Sequence, residues 1–241
     1  MELVRSHPWP TDKQEAIEIQ SELEQLIEIH QNYDDINYIA SVDTAYGKDA
    51  NIVFAAAVLC TFPEIEVKER RTYYDELTFP IIPDMCYFRE GAAMIKALEK
   101  LEQQPDLIIV HGHGTAHKKN GGLASMIGVG FDIATIGCSR KLLCGTVKEI
   151  PPTKGSTQPI MYQNKEVGIA YRTKDFVKPL FISPGHKCDL PFAKEVVGRN
   201  LRGFRMPEPL RFAHLAANKH KRYIEKKFAG KKIYIKNEDD A

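Results

Sequence analysis

The sequence predicts a mixed α/β domain whose central sheet, part antiparallel and part parallel, is flanked by helices. Three β-like runs, at 36–46, 51–62 and 64–77, are separated by breaks at Gly47, Asn51 and Pro63, and links that short join antiparallel neighbours. Beyond them helical and strand-like patterns alternate, an order that favours parallel pairing. The composition fits a chain that folds in water: 241 residues, 43% hydrophobic and 27% charged, enough for a substantial core within a single domain.

Residues 12–30 place Ile17, Leu23, Leu26 and Ile27 at helical spacing with acids between, an amphipathic packing helix. After the turn-rich 78–84 segment, REGAAMIKALEKLEQQ reads as a helix entering the strand LIIVHG, and GLASMIGVGFD as a helix entering ATIGCS. EVGIAYRT and KPLFISPG are two further strands. DLPFAKEVVGRNL and PLRFAHLAANKHKRYIEKKF supply closing helices. A meander continuing into helix-linked strands is the order of ribonuclease H-like folds, although order alone does not fix function.

The N-terminus lacks an apolar run of signal-peptide type, and no segment approaches the roughly 20 apolar residues of a membrane-spanning helix. Five cysteines form neither an even set nor a C-x-x-C pair, which speaks against a disulfide frame or zinc knuckle and for reduced thiols in the cytoplasm. The expectation is a cytoplasmic monomer with no membrane partner. A net charge of +1 gives no global pull on polyanions, but residues 219–236 carry eight Lys or Arg against one Glu, with Tyr223, Phe228 and Tyr234 interleaved. This basic extension, about 219–241, reads either as a phosphate-facing surface or as a solvated helix and tail.

Chemistry concentrates at the strand ends. Asp43 closes the apolar run YIASVD, where a buried carboxylate needs a cationic partner or else caps a turn. Glu90 in YFREG falls at the expected start of a helix, where the helix dipole favours a carboxylate. His111 ends the next core strand and opens HGHGTAH, whose imidazoles suit metal binding, proton transfer, nucleic-acid contact or a plain loop. Polar groups at the mouths of neighbouring strands can converge on one cleft.

The segments VDTAYG, FPIIPDMCYFREG, PDLIIVHGHGTAH, GGLASMIGV, TIGCSRKLLCG, ISPGHK and MPEPLRFAH, spread over roughly residues 10–218, resemble in order and spacing the endonuclease V family of metal-dependent nucleases. The resemblance implies a ribonuclease H-like fold and Mg²⁺-dependent hydrolysis of the phosphodiester bond just 3′ of a hypoxanthine nucleotide, one bond displaced, leaving 3′-hydroxyl and 5′-phosphate ends. It implies inosine-containing DNA or RNA as partner. By position, Asp43 and Glu90 match the family's metal carboxylates and His214 its histidine near the metal. Hard oxygen ligands suit Mg²⁺ or Mn²⁺.

Three positions depart from the family pattern. His111 stands where the family has a metal-binding aspartate, which removes a negative charge and favours Mn²⁺ or another ion tolerant of nitrogen over Mg²⁺. Arg140, with Lys141 beside it, stands where the family has a lysine near the scissile phosphate, so the charge is kept on a planar fork. The family's tyrosine wedge, P-Y-I-P, reads Pro80-Ile81-Ile82-Pro83 here; an aliphatic side chain can part a base step but cannot stack on a base. These departures leave a second reading open, an inosine-binding homologue with weak or no cleavage.

The resemblance also assigns reading of the extruded base to Gly112, Gly114, His117, Gly122, Leu123, Ala124 and Ser125. Gly121 and Gly137 flank those segments, whereas Gly145 reads as a turn glycine. His113 receives no role, and His186 in SPGHK reads as structural.

Overall fold

Capping starts the first helix. In a computed structural model describing residues 1–30, 35–48 and 51–228, Asp12 accepts hydrogen bonds from the backbone N–H groups of Gln14 and Glu15. Helix α1 (Lys13–Glu24) follows and buries Ala16, Gln20 and Leu23. It ends well short of residue 30, and Leu26, expected on the apolar stripe, is 43% exposed. No basic residue occupies its last turn to oppose the dipole, and the onward chain is claimed elsewhere: the Glu28 carbonyl accepts from the Lys187 backbone N–H.

The meander forms as expected from β1 (Tyr38–Tyr46), β2 (Ile52–Thr61) and β3 (Val67–Glu76), all antiparallel. Helix α2 (Cys86–Glu99) leads into β4 (Leu107–His111), and α3 (Leu123–Phe131) into β5 (Ala134–Ser139). β4 pairs parallel with both β1 and β5. The remaining elements are β6 (Thr157–Tyr162), β7 (Lys165–Tyr171), β8 (Leu180–His186), α4 (Leu190–Arg199) and α5 (Glu208–Lys227). Among the described residues the eight strands make one sheet in the order β3-β2-β1-β4-β5-β8-β7-β6.

Strand alternation divides the core. Ala40, Val42, Ile108 and Val110 pack under α1, α2 and α3, whereas Ile39, Ile109 and Ile136 pack under α4 and the start of α5. β6 has no counterpart in the sequence reading. It is a sheet edge with Ile160 its one fully buried residue, and Pro159 is tolerated there because an edge leaves one side unpaired. The other edge, β3, carries Lys68, Glu69, Arg70 and Arg71, charges that discourage pairing with another chain. No helix among the described residues is long and apolar enough to cross a membrane.

Candidate active site

The C-terminal ends of β1 and β4, α2, the 112–122 loop and the 139–143 loop border a cleft of about 600 Å³. Alternation along β1 sends neighbouring side chains to opposite faces. Asp43 and His111 point to the α5 side, where His214 meets them; Thr44 and Tyr46 point to the α2 side, where Glu90 meets them.

Asp43, almost wholly buried, is gripped by both imidazoles. His111 Nδ1 lies 2.6 Å from Oδ1 and His214 Nδ1 lies 2.8 Å from Oδ2, while the Thr44 backbone N–H donates to Oδ1 at 2.7 Å. An ionised carboxylate only accepts, so each Nδ1 carries the proton and each Nε2 is left for other work. Burial alone would raise the Asp43 carboxyl; the hydrogen bonds from His111 and His214 outweigh it and hold the group below its ordinary value.

Glu90 lies one turn deeper than expected. Burial of Tyr87 and Phe88 draws the start of α2 back to Cys86, so Glu90 falls beyond the first turn and gains little from the dipole. Two hydroxyls hold it instead: Thr44 Oγ1 donates to Oε2 at 2.5 Å and Tyr46 Oη at 3.0 Å. Burial raises the Glu90 carboxyl above its ordinary range, the nearby Asp43 charge adds to this, and the hydroxyls offset part of it. Thr44 and Tyr46 escaped the sequence reading, although their i, i+2 spacing on a strand already put them on one face.

Arg140, Lys141 and Leu142 form one lip of the cleft. His113 ties that lip to the glycine loop, with Nε2 2.9 Å from the Lys141 carbonyl, which Ser139 Oγ also contacts at 3.0 Å. Desolvation pushes the His113 pKa down to about 4, so at neutral pH the ring is uncharged and donates through Nε2. The structure thus gives His113 a positioning role that the sequence did not disclose.

The segment Pro80-Ile81-Ile82-Pro83 lies outside the cleft lining, anchored at both ends. Arg89 Nη1 donates to the Phe79 carbonyl, His117 Nε2 lies 2.8 Å from the Asp84 carbonyl, and Lys118 Nζ reaches Asp84 Oδ2 at 2.7 Å. Ile82 packs against the core, whereas Ile81 is 80% exposed.

Of the residues assigned to base reading, Gly112, His117, Gly122 and Leu123 line the cleft. Gly114, Ala124 and Ser125 do not: they are buried. A Cβ on Gly114 would sit 1.9 Å from the Pro184 carbonyl oxygen, and one on Gly122 2.3 Å from that of His113, so close backbone contact requires glycine at both. Ser125 Oγ bonds the Asn120 carbonyl. Gly145, at φ +77°, serves a turn, and His186, fully buried, has Nδ1 on the Glu28 N–H. Among the described residues no three carboxylate, imidazole or thiol groups stand close enough to hold an ion as placed.

The profile of the endonuclease V family matches residues 21–215. The chain belongs to the endonuclease V family. Endonuclease V of Trichormus variabilis is 40% identical over 221 residues, covering 91% of this chain and 100% of that one. The crystal structure of endonuclease V from Streptomyces avermitilis, 31% identical, superposes with a TM-score of 0.84 over 89% of this chain and 95% of that one. An endonuclease V of Ciona intestinalis, solved in complex with a 23mer DNA containing an inosine followed by a ribo-adenosine, shares the fold at 24% identity and TM-score 0.77, covering 88% and 98%. Membership makes the chain a nuclease, a hydrolase with the ribonuclease H-like fold. Within that family fold, its cleft holds the hydrogen-bonded pair of Asp43 and His111.

Proposed function

We propose that this endonuclease V chain hydrolyses the phosphodiester bond just 3′ of a hypoxanthine nucleotide in DNA or RNA, leaving 3′-hydroxyl and 5′-phosphate ends, as a step in repair. The observation that carries the reading is the convergence of two carboxylates, Asp43 and Glu90, on one cleft whose lip carries Arg140 and Lys141. The inosine-containing DNA bound by the Ciona intestinalis relative supports the substrate class.

The donor chemistry fits a divalent cation. Glu90 is half-buried with its carboxyl raised, and it has no ion-pair partner among the described residues, so a cation in the cleft would relieve it. Asp43, Glu90 and His111 would hold the ion, and the imidazole makes Mn²⁺ a better match than Mg²⁺. When bound, such an ion supplies an activated water and offsets charge developing on the phosphate. The protein's own groups do the rest. Asp43 fixes the tautomers of both imidazoles, so that each Nε2 faces outward as a base or ligand. Arg140 and Lys141 bring positive charge to the phosphate lip, Ile81 parts the base step, and the 112–123 loop offers backbone groups to the extruded base.

A second reading is favoured by one observation: both Asp43 oxygens are already spent on imidazoles, the arrangement of a binder that does not cut. Cleavage of a labelled inosine-containing strand in Mg²⁺, Mn²⁺ and Co²⁺ separates the two. Product in Mn²⁺ that Glu90→Ala abolishes supports the nuclease. Inosine-dependent binding with no product above that variant in any metal supports the binder.

A further inference from the structure

The second half of α5 is the feature of the chain that the cleft leaves unexplained. The helix starts over Val58 and Cys60, sends His214 to Asp43 and continues over Phe54 and Ala45 toward the C-terminal end of β1, the end at which the cleft opens. Its inner face buries Ala213, Ala217 and Ile224. Its outer face presents Lys219, Arg222, Tyr223 and Lys226, at spacings of three and four residues that form a single stripe, and Tyr223 is 63% exposed. From His214 to Lys226 is 12 residues, about 18 Å along a helix rising 1.5 Å per residue. The stripe therefore leads outward from the site.

A solvated helix face ordinarily mixes both signs. This one does not. Glu225 is the single acid between Lys219 and Lys227, and its Oε1 is engaged by the Lys48 backbone N–H at 3.0 Å. Among the described residues Lys219, Arg222 and Lys226 have no carboxylate partner. Lys226 and Lys227 can be explained by the negative pole of the helix, but Lys219 and Arg222 stand outside the last turn. In a chain of net charge +1 these cations are a local concentration, and an exposed aromatic lies among them.

We infer that the outer face of α5 binds the single-stranded polynucleotide backbone flanking the cleft, with Lys219, Arg222 and Lys226 on phosphates and Tyr223 stacked on a base. The inference rests on the proposed function for the strand's presence at the cleft, but the contact itself is independent of sequence and of inosine. Residues 229–241, which complete the basic extension, lie outside the described residues.

The test is binding of the full chain to a labelled single strand without inosine, in EDTA, across a salt series. The K219Q/R222Q/K226Q variant is compared with a control variant, K13Q/K174Q/K194Q, that removes three exposed lysines elsewhere. Each phosphate neutralised on a single strand adds about 0.7 to the salt slope, so the α5 variant should flatten it by about 2 and weaken low-salt binding at least tenfold. Tyr223→Ala should weaken binding about fivefold or more at unchanged slope. Circular dichroism confirms that each variant is folded. A slope change no larger than the control's overturns the inference, as does loss of binding to anionic vesicles with strand binding retained. Failure of inosine-directed cleavage with the slope effect intact would remove the proposed function and leave this surface standing.

Discussion

His111 Nδ1 and Asp43 Oδ1 lie 2.6 Å apart, joining two residues 68 positions apart in sequence into one hydrogen-bonded unit in the cleft lining. The expected consequence of His111→Asp follows from charge. Without metal the buried Asp43 loses a donor and gains a like-charged neighbour, a loss of about 1–3 kcal/mol. With an ion present the same change adds an oxygen ligand. The variant should melt lower than the parent in EDTA, gain more in melting temperature from Mg²⁺, and raise the ratio of Mg²⁺- to Mn²⁺-supported kcat/KM about tenfold. Melting curves and cleavage rates in both metals check this; an unchanged metal ratio would refute imidazole control of the ion.

Ile81 provides the second prediction. At 80% exposure it supports little of the fold, so Ile81→Ala should change stability by less than about 0.5 kcal/mol. Cleavage of an inosine-containing strand should nevertheless fall about tenfold in kcat/KM, and Ile81→Tyr, which adds stacking, should exceed the parent. Equal rates for all three would remove the wedge.

Glu90 illustrates a functional group held against its own preference. Its raised carboxyl means that the folded state takes up this proton more readily than the unfolded chain does. The linkage sign is therefore that its ionisation costs stability as pH rises past the ordinary glutamate range. Glu90→Gln removes that charge and keeps an acceptor for Thr44 and Tyr46. The variant should be more stable than the metal-free parent at pH 8, by about 1 kcal/mol, while losing cleavage. Equal or lower stability would show that the charge is well accommodated.

Much of this arrangement was legible in the chain, because strands announce themselves by apolar runs and turn residues. The meander, the parallel β1-β4-β5 pairing and the helices between them follow from such local patterns. β6 was not legible, since an edge strand needs only Ile160 inside. Nor was the span of α2: its N-terminal residue Met85 makes no side-chain cap, and tertiary burial of Tyr87 and Phe88 sets its start. Asp43 and His111 stood out as polar groups ending apolar strands, and Glu90 as an acid at the expected start of a helix. His214 stood out through the family resemblance, but the pairings did not, because the His214–Asp43 bond and the His113–Lys141 latch connect segments 171 and 28 residues apart, and local patterns carry no such information.

Asp132 supplies a prediction away from the cleft. It ends α3 in the left-handed conformation at φ 56°, and its carboxylate accepts from Arg5 Nη1 and Lys187 Nζ, both at 2.8 Å. The hydrogen bonds from Arg5 and Lys187 hold the carboxyl well below its ordinary range. A depressed folded-state pKa gives stability that is present above about pH 4, the unfolded value, and is lost as pH falls through the folded value. Asp132→Asn keeps a residue that tolerates the left-handed conformation and removes only the charge. Because the side chain is 32% exposed, solvent screening limits the loss to about 1 kcal/mol, or about 2–4 °C in Tm, at pH 7. Below pH 3 the two melting curves should draw together. A difference as large at pH 2.5 as at pH 7 would mean that Asp132 stabilises the fold through shape and not through charge.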